Sequence, residues 1–230
     1  MYKIGHLQYK VKSLTNAINQ LNKLGFNVEK ASANSKNAFI WFETGPYIEL
    51  IEMNNVLIPF AYIFRWLYGK AMKERWKKWC GKKESFVDFA IEPINEHLKS
   101  INRFTQNQEI LRNFGIHSSK VITWSRKNLN GEKIYFSYLP ILPVSLSFVV
   151  SDYSVVQRPK CILHKNNLVK VEKVNFICKG PEYTKLKKIL SNDSCIQLVV
   201  GSVSKVDQVI LKNKNGELYQ LTNQMTIEKK

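Results

Sequence analysis

The chain predicts an α+β fold made of repeated β-α-β-β-β modules. Two observations carry this. Residues 1–53 and 85–151 share one order of elements, with a looser copy at 170–222. Within each copy the hydrophobic period switches from two residues to about 3.6 and back, the mark of a strand leading into a helix and out again.

The first copy opens with "HLQYKV", where Leu7, Tyr9 and Val11 alternate with His6, Gln8 and Lys10. Leu14, Ala17, Ile18, Leu21 and Leu24 then recur at helical spacing, and Gly25 ends the helix. Strands follow at about 27–33, 37–43 and 46–52, with Gly45-Pro46 as the turn between the last two. In the second copy "SFVDFAIEP" is a strand, 94–111 is helical in one or two pieces, and "SKVITWSR", "EKIYFSYL" and "VSLSFVVS" are strands. Asn130-Gly131 suits a hairpin turn. The third copy runs through "KVEKVNFIC", a helix at 181–190 opened by proline, and strands "CIQLVVG", "VDQVILKN" and "LYQL". The predicted organisation is a domain over 1–153, with modules 1–53 and 85–151 and a helical insertion at 56–83. A connector and the third, degenerate module fill 154–230.

A chain of 230 residues with 44% apolar side chains can bury a proper core. The first eleven residues lack the apolar stretch of a signal peptide, and the most apolar run, 56–64, is too short to span a bilayer. Cys80, Cys161, Cys178 and Cys195 have no CxxC spacing. A reducing cytoplasm is therefore the expected compartment, with neither disulfides nor a zinc site. The net charge of +17 invites a nucleic-acid reading. However, only Arg65, Arg75, Arg103, Arg112, Arg126 and Arg158 among the 35 basic residues are arginine, the residue suited to bidentate contacts. The lysines are spread along the chain, so nucleic acid is not an expected partner.

Three stretches, in order, resemble the glyoxalase-like domain family of the vicinal oxygen chelate superfamily. "HLQYKVKSLTNAINQLNKLGFNV" with "NAFIWFETGPYIELIE" is similar to that family's first module. "WSRKNLNGEKIYFSYLPILPVSLSFVVSDYSVVQRP" is similar to its second, and "HKNNLVKVEKVNFICKGPE" to the connector into a further module. The resemblance implies that two modules pair side by side and their sheets curl into an open barrel around a cavity. Enzymes of the superfamily hold a divalent metal there, on the first and last strands of each module. An enzyme of this type would be a lyase, isomerase or dioxygenase; other members bind small molecules without catalysis.

His6 lies on the strand face away from the helix. In "PYIELIE", Glu49 shares a face with Tyr47 and Ile51, so it is expected to point the same way as His6. An imidazole and a carboxylate are sensible ligands for zinc, iron, manganese or nickel. The second module breaks the pattern: alignment puts Phe86 at the His6 position, "VSLSFVVS" offers no acid or imidazole, and Asp88 and Asp152 are the nearby acids. Lys173 takes that position in the third copy. No tightly held cofactor or metal is therefore expected, although a weak divalent site on His6 and Glu49, completed by a substrate, stays open. His6 and Glu49 are the candidate catalytic pair. Gln8, Tyr47, Phe86, Asp88 and Trp124 are the candidate ligand contacts. The expected partner is a small organic molecule, and a homodimer is open. His164 reads as structural, and His97 and His117 carry no motif.

In 56–83, Phe60, Ile63, Phe64, Leu67 and Ala71 form a stripe at helical spacing, with Lys70, Lys73, Lys77 and Lys78 on other faces. Three readings stay open: helices covering the barrel with the stripe as core, a lid over the cavity, or an interfacial helix on anionic lipid. The membrane surface is the least expected of these.

Overall fold

β1 (Tyr2–Val11), α1 (Leu14–Lys23), β2 (Glu29–Lys30), β3 (Asn37–Ile40) and β4 (Tyr47–Glu52) make the first module. The computed structural model describes residues 1–81 and 83–230. Ser13 caps α1 by accepting the Asn16 amide. Gly25 follows the helix at φ +84°, and a Cβ there would lie 2.9 Å from the Asn166 nitrogen, so both conformation and space call for glycine. β4 returns parallel to β1, with His6 opposite Tyr47 and Gln8 opposite Glu49.

The insertion is a 3₁₀ turn at Asn55–Leu57 and two helices, α2 (Phe60–Tyr68) and α3 (Lys70–Trp79). Gly69, at φ +108°, breaks the helical run between them. This break splits the stripe read from the sequence. Ala61, Ala71, Met72, Arg75 and Trp79 are buried, whereas Phe60, Ile63 and Leu67 face outward. Lys82, near the end of that stretch, lies outside the described residues.

The second module holds β5 (Ser85–Pro93), α4 (Glu96–Lys99), a 3₁₀ turn at Ile101–Arg103, α5 (Gln106–Asn113), β6 (His117–Ser118), β7 (Ile122–Lys127), β8 (Lys133–Leu142) and β9 (Phe148–Val150). Its helical segment falls into three pieces. One nine-stranded sheet runs in the order β2-β3-β4-β1-β5-β9-β8-β6, with β7 also paired to β8. The modules meet where β1 and β5 pair antiparallel. The sheet is open but curled. The Arg126 guanidinium from β7 donates to the Ala31 carbonyl beyond β2 and packs over the Phe39 ring of β3, so the two ends of the sheet touch.

β10 (Leu168–Cys178), α6 (Gly180–Ile189), β11 (Ile196–Val200), β12 (Lys205–Asn213), β13 (Leu218–Leu221) and β14 (Ile227–Lys229) complete the chain. Their sheet runs β11-β10-β12-β13-β14. The element order repeats that of the first module, but the wiring differs. In the first module the last strand lies parallel to the first; here the strand directly after the helix does so. β12 then pairs antiparallel on the other side of β10.

One apolar cluster runs through both sheets, from Leu7, Tyr9 and Leu21 through Phe89 to Phe176 and Val209. The Phe89 and Phe176 rings meet at 4.9 Å. His164 in the connector ties the parts together, accepting the Asn27 amide at Nδ1 while Nε2 lies 2.8 Å from the Trp41 carbonyl. α1 and the second sheet thus cover one face of the nine-stranded sheet. Its other face is left to the cavity. All four cysteines are free thiols.

Candidate functional site

Strand alternation decides what the polar face of β1 sees. His6 and Gln8 open onto a cavity of about 600 Å³. Lys10, further along, gives its ammonium to the Gly81 carbonyl. His6 is only 5% exposed. Neither of its ring nitrogens has a hydrogen-bond partner among the described residues, and neither does Gln8 Oε1. The Tyr47 ring stacks on the imidazole at 4.8 Å and Phe148 meets it edge-on at 5.8 Å. Glu49 Oε2 lies 3.5 Å from His6 Nε2. The carboxylate is held by two amides, Gln8 Nε2 at 3.1 Å and Asn37 Nδ2 at 2.9 Å.

Burial pushes the His6 pKa below its ordinary value, against the opposing pull of Glu49 and, less strongly, Glu92 and Asp88. The imidazole is therefore neutral near pH 7, with one N–H to donate and one lone pair to accept. Burial also raises the Tyr47 and Tyr153 hydroxyls, which lie side by side.

The cavity walls are aromatic. Trp41, Trp76, Trp79 and Trp124 all line it, as do Phe136 and Tyr138 of β8. Trp76 and Trp79 belong to α3, so the insertion forms part of the wall. Arg126 and Arg158 also reach the cavity. Arg158 donates to the Phe42 carbonyl at 3.0 Å and the Gly45 carbonyl at 2.7 Å. Glu92 lines the cavity too but pairs with Lys3 at 3.2 Å and Lys99 at 3.4 Å.

Of the residues singled out in the sequence, His6, Gln8, Tyr47, Glu49 and Trp124 come together around this cavity; Phe86 and Asp88 do not line it. The expectation for Phe86 fails because β5 carries a β-bulge. Gln8 pairs with Asp88, but the next residue, Tyr9, pairs with Phe86. Val87 is the extra residue, and the bulge reverses the alternation. Phe86 therefore turns to the core and meets the Tyr9 ring edge-on at 5.0 Å. Asp88 keeps the expected face but is claimed by α3. Arg75 Nη1 reaches it at 2.6 Å, Lys78 Nζ at 3.1 Å and Trp79 Nε1 at 3.0 Å.

The sequence reading missed Trp41, Arg126 and Arg158 as cavity residues, while Trp76 and Trp79 of α3 came in only through the open reading of 56–83 as a lid. Alternation within β7 and β8 puts Arg126 on the face of Trp124, and Phe136 on that of Tyr138, so part of the signal was present. Nothing in the local sequence tells that α3 lies against this face.

The residues do not fit a resident metal. Among the described residues no three His, Cys, Asp or Glu side chains cluster as ligands. His6 and Glu49 are the two donors that face each other, and both Glu49 oxygens already accept amides. Across β1–β5 and β5–β9, the second module sets Ala90 opposite His6 and Phe148 beside Ala90. Neither offers a lone pair.

No protein-family model matches the chain, and no curated protein matches it in sequence. Solved structures do match in fold. A hypothetical protein from Staphylococcus aureus aligns over 100% of this chain and 98% of its own, at 14% identity and a TM-score of 0.68. An extradiol ring-cleaving dioxygenase from B. fuscum aligns over 98% of this chain and 70% of its own, at 9% identity and 0.53. A catechol 2,3-dioxygenase aligns over 99% and 86%, at 10% identity and 0.50. The chain shares its fold with these structures. At these identities the likeness extends to architecture alone.

Proposed function

We propose that the protein is a glyoxalase-like binder of a small organic molecule, held without a resident metal in the cavity between the first two modules. One observation carries the reading. A buried, neutral His6 and its neighbour Gln8 line an aromatic-walled cavity of about 600 Å³, with both imidazole nitrogens and Gln8 Oε1 left without a hydrogen-bond partner among the described residues. Buried polar atoms left unmatched cost roughly 1–3 kcal/mol each, so a ligand that pairs with them gains affinity. Its complement is a flat apolar body, stacked among Trp41, Trp79 and Phe148, with a donor and an acceptor turned to His6 and Gln8.

The 3.5 Å contact of His6 with Glu49 favours a second reading, in which the same site is catalytic. His6 would take a proton from the bound molecule as general base, and Glu49 would stabilise the imidazolium that forms.

The five tryptophans make the test direct. All but Trp66 line the cavity, so the Trp66→Phe protein reports cavity occupancy by its own fluorescence. A library of small organic molecules is titrated into it. A binder whose affinity falls roughly fivefold or more in His6→Ala supports the reading. Saturable binders that quench equally in His6→Ala defeat it. For catalysis, His6→Ala should bind the molecule but leave it unchanged, where the parent protein consumes it.

A further inference from the structure

The outward face of α2 has a composition that the cavity does not explain. Trp66 is 84% exposed, Tyr62 59%, Ile63 53% and Phe60 49%, with Leu67 and Val56 also open. Wound at 100° per residue, these α2 side chains share one broad face, and Arg65 stands at its border as the one charge in the helix. Isolated exposed apolar residues are ordinary, but a contiguous patch this rich in large side chains marks a contact surface. Cations surround it. Lys70 begins the next helix, and the Lys73 and Lys77 ammoniums lie 4.9 and 5.3 Å from the Tyr62 ring centre. The single acid in this helix pair, Glu74, lies 3.8 Å from Lys73.

We propose that α2 seats the protein on an anionic lipid surface, with Phe60, Ile63, Trp66 and Leu67 entering the headgroup–acyl boundary. Arg65 and Lys70, both exposed, would then face the lipid phosphates, with Lys77 beside the Tyr62 ring. The charge pattern selects this occupant. A second copy would bring its own basic collar against this one, in a chain of net charge +17. Nucleic acid would match the cations but not Ile63 and Leu67, which offer no aromatic face for bases. An anionic bilayer matches both: tryptophan prefers the boundary region, aliphatic groups prefer the acyl side, and lysine and arginine reach the headgroups. Among the described residues no helix is long and apolar enough to cross a membrane, so the contact is one of surface seating.

Co-sedimentation with vesicles decides the matter. The full chain should bind phosphatidylcholine vesicles that contain phosphatidylglycerol, bind pure phosphatidylcholine far less, and lose binding as salt rises. Ile63→Ser with Trp66→Ser should weaken partitioning roughly tenfold or more. Arg65→Glu with Lys70→Glu should weaken it roughly fivefold per cation removed. Both variants replace exposed residues, and circular dichroism confirms that each is folded. Absence of binding to the anionic vesicles overturns the proposal. So does equal binding by the Ser variant, which would mean general adsorption of a basic protein. A dimer in sedimentation velocity that the Ser variant abolishes would assign the face to a second copy, and RNA binding that the same variant abolishes would assign it to nucleic acid.

Discussion

The two modules of the nine-stranded sheet share a strand order and meet across β1 and β5, yet they equip the cavity in opposite ways. The first offers functional groups: His6 and Gln8 on β1, Tyr47 and Glu49 on β4. The second offers mainly aromatic wall, Phe136, Tyr138 and Phe148, and its charged cavity residues Glu92 and Arg126 are held elsewhere, Glu92 by Lys3 and Lys99 and Arg126 by the Ala31 carbonyl. Asp88, the acid that pairs with Gln8 across the strands, is spent on Arg75 Nη1, while Nη2 of the same guanidinium donates to the Leu146 and Ser147 carbonyls at 2.8 and 2.6 Å. The same strand position thus does two jobs. In the first module it presents polar atoms to the cavity; in the second it anchors a helix that covers the cavity. A duplicated architecture can hold chemistry on one half and packing on the other, because neighbouring elements decide what a strand face can reach.

The contrast is tested most strongly at the acids. Asp88→Ala strands a fully buried guanidinium without its counter-ion, and removing one partner of such a pair costs about 3–5 kcal/mol. Glu49→Gln keeps a similar shape and an acceptor in a cavity open to water, and should cost about 1 kcal/mol or less. Guanidinium unfolding of both variants reads the difference, and equal losses would erase the distinction between anchor and site. The next effect is at the bulge. Phe86→Ala removes a buried ring from the core and should cost roughly 3 kcal/mol. It should leave fluorescence titrations of any cavity ligand unchanged. A shifted affinity would mean that Phe86 communicates with the cavity despite facing away from it.

Much of this architecture was legible in the residues. Alternation in "HLQYKV" and "PYIELIE" placed His6, Gln8, Tyr47 and Glu49 on one face, because regular strands obey a period of two. Phe86 escaped the same rule because one inserted residue, Val87, reverses the period, and a bulge leaves no mark in an apolar run. Asp88 was on the expected face, but its partner Arg75 sits in another element, and helix docking is a tertiary fact. The α2 stripe left the direction of the helix open. Helical spacing shows that Phe60, Ile63 and Leu67 share a side; it does not show which side the sheet takes, and the Gly69 break set that. The third segment gave the right succession of elements, while its different wiring rests on strand pairings that local patterns do not encode.

The subtlest prediction sets His6 against pH. Its pKa in the fold lies below the ordinary 6.5 because burial disfavours the imidazolium. Between the lowered value and 6.5 the unfolded chain binds the proton that the folded protein refuses. Stability therefore rises with pH through that window and falls as pH drops below 6.5, by at most about 1.4 kcal/mol per pH unit for one such group. His164, also lowered by burial, adds a slope of the same sign. His6→Gln removes the first contribution and leaves the second, so its stability should decline less steeply just below pH 6.5. Urea unfolding of both proteins across that window measures the two slopes. If they are identical, His6 titrates in the fold as it does in water, and the neutral, buried imidazole that sets the first module apart from the second is lost.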